Sequence, residues 1–169
     1  MPVARLNHAV LYVRDAEVTA AFYERVLGFE RLPMGLPGAV FMRAPGSTND
    51  HDIGLFSVGP GAGLSRAGRD SVGLYHLAWE VDTLSDLEEL ASRLRQSGAL
   101  AGASDHGTTK SLYGKDPDGL EFEVAWIVPA AMLDEAAIAA RSTVGRLDLE
   151  REKQRYGAAT RGGVGISRV

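Results

Sequence analysis

The stretch Leu6–Asp15, LNHAVLYVRD, returns in outline as Leu74–Asp82, LYHLAWEVD. Both copies have a Leu-x-His opening, a β-rich apolar run and an Asp able to start a helix. Self-similarity at a fixed offset marks a duplicated unit, and each copy has the same sequel. Behind the first runs DAEVTAAFYERVLGFE, with Asp15 placed as N-cap, Val18, Phe22 and Val26 on one helical face, and Gly28 as the stop. Behind the second runs DTLSDLEELASRLRQSGA, with Thr83 or Asp82 as cap, Leu84, Leu87, Leu90, Ala91 and Leu94 at helical spacing, and Gly98 as terminator.

Each helix is followed by three short strand candidates set off by Gly and Pro. These are Phe29–Met34, Ala39–Pro45 and Asp52–Val58 in the first copy, and Ala99–Asp105, Thr109–Lys115 and Leu120–Val128 in the second. The expected fold class is therefore α+β, built as βαβββ twice, with module one over 1–58, a Gly-rich linker over 59–72 and module two over 73–128. After Pro129 the chain turns to Ala, Leu and charged residues. This predicts a helical extension over 129–169, with two short helices and a loose tail beginning near Ala159.

Composition narrows the functions. At 169 residues, 45% hydrophobic and 24% charged, the chain is long enough for a real core. A net charge of −4 provides no basic surface for nucleic acid or anionic lipid. The absence of cysteine removes disulfides, Cys-ligated zinc and thiol nucleophiles, leaving His, Asp and Glu for chemistry. No apolar run is long enough to cross a bilayer and no apolar signal core opens the chain, so a cytoplasmic protein without membrane or nucleic-acid partners is expected. No G-x-S-x-G elbow appears, and GPGAG from Gly59 lacks the Lys-Ser/Thr of a phosphate loop.

Period-two alternation places His8 on a face with Leu6, Val10 and Tyr12, His76 with Leu74 and Ala78, and Glu123 with Glu121 and Ala125, opposite Phe122, Val124 and Trp126. Taken singly, the histidines read as core residues satisfied by backbone, and Glu123 as a solvated outer residue. Together, two imidazoles and a carboxylate from separate strands make the shell a divalent metal needs, with open positions that suit Fe(II) in an oxygenase better than a closed zinc site. Aligning DIGLF with EFEVA puts Gly54 where the second copy has Glu123. Lys110 reads as a surface residue, and Asp116-Pro117-Asp118-Gly119 as a β-turn that aims Glu123.

The opening LNHAVLYVRDAEVTAAFYERVLGFE, the mid-chain LYHLAWEVD and the segment SLYGKDPDGLEFEV together resemble the vicinal oxygen chelate superfamily over about Arg5–Val128. That superfamily includes glyoxalase I, extradiol dioxygenases, epimerases, fosfomycin-modifying transferases and bleomycin-binding proteins. The resemblance implies paired βαβββ modules curled into a cup-shaped, half-barrel mixed sheet, with a divalent metal held by His8, His76 and Glu123. Within the superfamily the chain looks most like catechol-2,3-dioxygenase-like members. Glyoxalase-type sites add a ligand where this chain has Gly54, and Tyr113 stands ten residues before Glu123 as in extradiol enzymes.

On that resemblance, His106 is the acid-base residue and Tyr113 orients a substrate oxygen. His51, Phe41, Phe56 and Met42, with Met34, line the substrate side. The metal is Fe(II), with Mn(II) as the alternative, O2 is the co-substrate, and the partner is a small aromatic diol. A homodimer or higher homo-oligomer is expected, because Met132, Leu133, Ile138, Leu147 and Leu149 offer cover for a second copy. A glyoxalase-like lyase or isomerase and a non-catalytic drug- or metabolite-binding protein are the other functions this fold accommodates.

Overall fold

The computed structural model describes residues 2–3, 5–68 and 70–163. Two compact units result, Met1–Arg66 with the turn Asp116–Leu120, and Ala67–Lys115 with Glu121–Val169. Each carries one four-stranded mixed sheet with a helix, which is the α+β repeat expected from the sequence.

The first unit runs β1 (Ala9–Val13), α1 (Ala16–Phe22), β2 (Glu30–Arg31), β3 (Ala39–Arg43) and β4 (Ile53–Ser57). Its sheet order is β1-β4-β3-β2, with β1 parallel to β4 and the other pairs antiparallel. The α1 helix begins where the Asp15 carboxylate accepts the N–H groups of Glu17 and Val18. Beyond Phe22 it widens into a π turn over Tyr23–Leu27, which Gly28 closes at φ 77°. The buried stripe runs through Ala16, Thr19, Ala20, Tyr23 and Val26, whereas Val18, expected among them, is 55% exposed. Spacing of three and four residues from Ala16 misses position 18. The turn Asp116–Leu120 belongs to this unit because Asp118 accepts both the backbone N–H of Arg14, at 3.0 Å, and its guanidinium, at 2.8 Å. Asp116 Oδ1 in turn accepts from the N–H groups of Asp118 and Leu120, and Gly119 supplies the positive φ of the turn.

The second unit runs β5 (His76–Glu80), α2 (Leu84–Gln96), β6 (Leu100–Asp105), β7 (Thr109–Lys115) and β8 (Glu121–Ile127), with sheet order β5-β8-β7-β6. Thr83 and Asp86 form a capping box at the start of α2, and Leu84, Leu87, Leu90, Ala91 and Leu94 are all buried. Against them lie Leu112, Phe122, Val124 and Trp126, each 2% exposed or less. At full burial such side chains contribute about 1.5–3 kcal/mol apiece. Lys110 corrects a sequence expectation. It is fully buried and its Nζ lies 2.6 Å from Asp105 Oδ1 and 2.9 Å from Glu152 Oε2. On β7 it is two residues from Leu112, so strand alternation turns it inward with that leucine. The Glu152 approach is an ion pair by distance and is not aligned as a hydrogen bond.

The extension contains α3 (Glu135–Ala139) and α4 (Leu149–Tyr156), capped by the Asp134 and Asp148 side chains. Helix α4 brings Lys153 to Glu88 of α2 at 2.8 Å. The expected loose tail is fastened as far as it is described: the Trp126 indole donates to Thr160 O, and the N–H groups of Gly162 and Gly163 donate to Asp82 O and Ile127 O. Residues 164–169 of that tail lie outside the described residues.

Candidate metal and acid-base site

Strand register brings most of the chemistry-bearing residues of the second unit to one sheet face. Tyr113 pairs directly with Glu123 on β8, which pairs with Ala78 on β5, two residues from His76. His76 Nε2 stands 3.1 Å from Glu123 Oε2, and the Ser111 hydroxyl donates to Glu123 Oε1. The Tyr113 and His76 rings meet edge to face with centroids 5.9 Å apart.

His106 follows β6 and completes the face. Its Nε2 is 2.8 Å from Ser104 Oγ and 3.1 Å from the Tyr113 hydroxyl, while Ser104 Oγ and the Tyr113 hydroxyl are 3.2 Å apart. Its Nδ1 is 3.0 Å from the Thr143 carbonyl.

In the first unit His8 immediately precedes β1. Its Nδ1 lies 2.8 Å from the Asn7 side-chain oxygen, and its ring lies 4.4 Å from that of His51. His51 has Asp50 at 3.1 Å and the edge of Phe41 at 5.2 Å; Phe41 in turn meets Phe56 at 5.8 Å. Both phenylalanines belong to the face of Gly54, since Phe41 pairs with Gly54 and Phe56 is two residues along β4. Met42, expected to line the same surface, is fully buried in the core, because it neighbours Phe41 and so points to the other face of β3. Met34 is 40% exposed in the segment before β3. Asp52, beside His51, is committed to structure: its carboxylate accepts from the Ala44 N–H, the Ser47 hydroxyl and the Asn49 side-chain amide.

The two units are equivalent position by position. Val10, two residues past His8, pairs with Gly54, just as Ala78, two past His76, pairs with Glu123. Phe41 across from Gly54 then matches Tyr113 across from Glu123. The first unit thus has an apolar aromatic surface where the second has a carboxylate and a phenol.

A divalent metal suits the second-unit pair. His76 Nε2 and Glu123 Oε2, 3.1 Å apart, are an imidazole nitrogen and a carboxylate oxygen that a divalent ion could take together. His76 Nδ1 is buried without a hydrogen-bond partner, and Nε2 is the ring nitrogen that faces the Glu123 carboxylate. Among the described residues no group of three or more His, Asp or Glu side chains is gathered into a metal cluster. Sequence reasoning missed Ser104, Ser111 and Thr143. The two serines were within reach of strand alternation, since Ser104 is two residues from His106 and Ser111 two from Tyr113. Thr143 acts through its backbone and carries no such mark.

A family model described as the Glyoxalase/Bleomycin resistance protein/Dioxygenase superfamily matches residues 5–124. The chain is 34% identical over 116 residues to biphenyl-2,3-diol 1,2-dioxygenase 3 of Rhodococcus globerulus, covering 68% of this chain but only 59% of that enzyme's length. Among solved structures, a glyoxylase/bleomycin resistance protein/dioxygenase domain from Frankia sp. EAN1pec superposes with a TM-score of 0.62 at 24% identity, covering 73% of this chain and 92% of that one. A variant of the fosfomycin resistance protein FosX from Listeria monocytogenes, complexed with Mn(II) and a dihydroxypropylphosphonic acid, superposes with a TM-score of 0.55 at 20% identity, covering 73% and 92%. At these identities the structures establish the shared fold.

Proposed function

The chain belongs to the glyoxalase/bleomycin resistance protein/dioxygenase superfamily, and on that premise we propose that it is a metal-dependent extradiol dioxygenase cleaving the ring of a small aromatic diol. The observation that carries this is the single sheet face on which Glu123 lies beside His76, Tyr113 pairs with Glu123, and His106 is hydrogen-bonded to Tyr113. The likeness to a biphenyl-diol dioxygenase supports the same substrate class.

His8, His76 and Glu123 are the proposed ligands, with Fe(II) as the metal and Mn(II) as the alternative. Bound there, the ion would supply Lewis acidity to the diol oxygens and the redox chemistry that activates O2. The chain's own residues do the rest. His106 Nε2 accepts a proton from the diol and returns it as the ring opens. Tyr113 donates a hydrogen bond that orients the oxygen nearer to it. Phe41 and Phe56 offer edges to the aromatic ring, and His51 contacts the substrate from beside His8. Gly54, in the position equivalent to Glu123, contributes no fourth ligand. Self-association into a homodimer belongs to the same proposal, as does a cytoplasmic location; no helix among the described residues is long and apolar enough to cross a membrane.

The test is anaerobic purification with Fe(II), metal counting, and exposure to catechol or biphenyl-2,3-diol with O2. One metal per chain, O2 uptake and a yellow ring-fission product are expected, with Glu123→Ala losing the metal while keeping its circular dichroism. Isomerisation of a hemithioacetal without O2 uptake would instead indicate a glyoxalase-like enzyme. Tight diol binding by a protein that takes up no metal would indicate a binding protein.

A further inference from the structure

The C-terminal extension lies beyond residues 5–124 of the family match, yet it touches the acid-base residue. We infer that the Thr143 carbonyl fixes His106 as the Nδ1–H tautomer and so keeps Nε2 as a bare acceptor facing Ser104 and Tyr113. This rests on the dioxygenase proposal only for its catalytic consequence.

The chemistry is one of donors and acceptors. A carbonyl oxygen only accepts, so at 3.0 Å from Thr143 O the proton of neutral His106 must sit on Nδ1. The Nε2 lone pair is then turned towards two hydroxyls, Ser104 at 2.8 Å and Tyr113 at 3.1 Å. Either hydroxyl can donate to it. When Ser104 does, the Tyr113 proton is released for a substrate oxygen; when Tyr113 does, Ser104 donates to the phenol at 3.2 Å. Ser104 is therefore a positioning residue that lets Tyr113 change partners without leaving Nε2 unpaired. In the other tautomer Nε2–H would itself be a donor and could accept no proton from a diol.

The carbonyl is held in place by more than its own contact. Asp105, next to His106, exchanges two backbone hydrogen bonds with Gly145, its N–H donating to Gly145 O at 2.9 Å and its carbonyl accepting from the Gly145 N–H at 2.8 Å. The Thr143 hydroxyl donates to Ala140 O at 2.7 Å, fixing the turn that carries the carbonyl. On the other side of His106, Gly107 lets α3 come close. Its φ is 72°, and a Cβ there would lie 2.3 Å from Ala137 O and 2.8 Å from Ala140 Cβ. Thr143 is exposed, so water would replace a displaced carbonyl. Water both donates and accepts and would select neither tautomer.

The test uses full-length 15N-labelled protein, in which long-range proton–nitrogen correlations distinguish protonated from bare ring nitrogens. His106 should show a protonated Nδ1 and a bare Nε2 in the parent. Gly145→Pro, which removes the N–H given to Asp105, should raise the Nε2–H population. Thr143→Ala, which removes the hydroxyl bond to Ala140 O while the Thr143 N–H keeps its own, should raise it to a smaller extent and carries the test if the proline variant does not fold. At unchanged metal content and melting temperature, diol turnover should fall about tenfold or more, a partial loss of the roughly hundred- to ten-thousand-fold that general acid-base help typically supplies. A parent in the Nε2–H form, or two folded variants that both keep the parent tautomer, overturns the inference. A shifted tautomer with unchanged turnover overturns its catalytic part. If the tautomer results hold but the parent consumes no diol, the lock stands and the dioxygenase proposal falls.

Discussion

Asp116 is 5% exposed, with Oδ1 accepting two backbone N–H groups and Oδ2 buried without a hydrogen-bond partner. Burial raises its carboxyl from the ordinary 3.8 to about 6, the backbone bonds offsetting part of the effect. A raised acid holds its proton more tightly folded than unfolded. Its contribution is fully present below about pH 4 and is lost as pH rises through about 6, a difference on the order of 3 kcal/mol. Asp116→Asn keeps the Oδ1 acceptor and removes the titration, so its melting temperature should match the parent's near pH 4 and exceed it by pH 7. Parallel curves for parent and variant across that window would show that the turn carries no such penalty. At the same scale Tyr113→Phe should leave metal content and melting nearly unchanged and slow turnover, because the ring stays while one hydroxyl is lost; metal loss in that variant would make Tyr113 a structural residue. Strand alternation and the repeat offset single out the three proposed ligands from the sequence, whereas His106 and Tyr113 come from the resemblance to extradiol enzymes. Met42 and Lys110 were misplaced for want of applying the same alternation to their neighbours Phe41 and Leu112.

The helices show why elements were easier to read than their attachments. Caps and stops are local, and Asp15, Thr83, Gly28 and Gly98 perform them where the sequence places them. How α4 docks is not local: it depends on Glu152, 2% exposed, meeting Lys110 from a strand far earlier in the chain. No periodicity within residues 149–156 announces that partner. Removing the cation leaves the Asp105 and Glu152 carboxylates without it, and breaking a buried pair from one side typically costs about 3–5 kcal/mol. Lys110→Met should therefore lower the unfolding free energy by that amount, read as a lower urea midpoint at unchanged slope. A loss under about 1 kcal/mol would mean the charges are solvated in practice. Gly114 is the other packing device, since a Cβ there would fall 2.4 Å from the Phe122 ring directly across the ladder. Its selection by contact across the sheet is equally invisible along the chain.

At the scale of the whole chain, the duplication keeps its frame and divides its surfaces. The βαβββ order and the strand registers recur, while Glu123 and Tyr113 of one unit are Gly54 and Phe41 of the other. The face of β1 next to this apolar surface is itself largely uncovered: Leu6, Val10 and Tyr12 are 75%, 51% and 75% exposed, and β1 stands at one edge of its sheet. Edge strands with exposed apolar side chains invite pairing, and such patches mark association surfaces more often than free ones. The occupant proposed is a second copy of the chain, at a surface other than the C-terminal one expected from the sequence and on the strand face that also carries His8. Because Val10 and Tyr12 contribute little to the core, replacing both with Lys should not unfold the protein, yet should place charge where two copies meet. The parent should sediment as a dimer at micromolar concentration and the Val10→Lys, Tyr12→Lys variant as a monomer with an unchanged melting temperature. A monomeric parent at tens of micromolar removes the proposal outright. A dimeric double variant moves the interface elsewhere, to the exposed Ile138 and Val144 of the extension, at 52% and 79%, where the same charge substitution can be repeated.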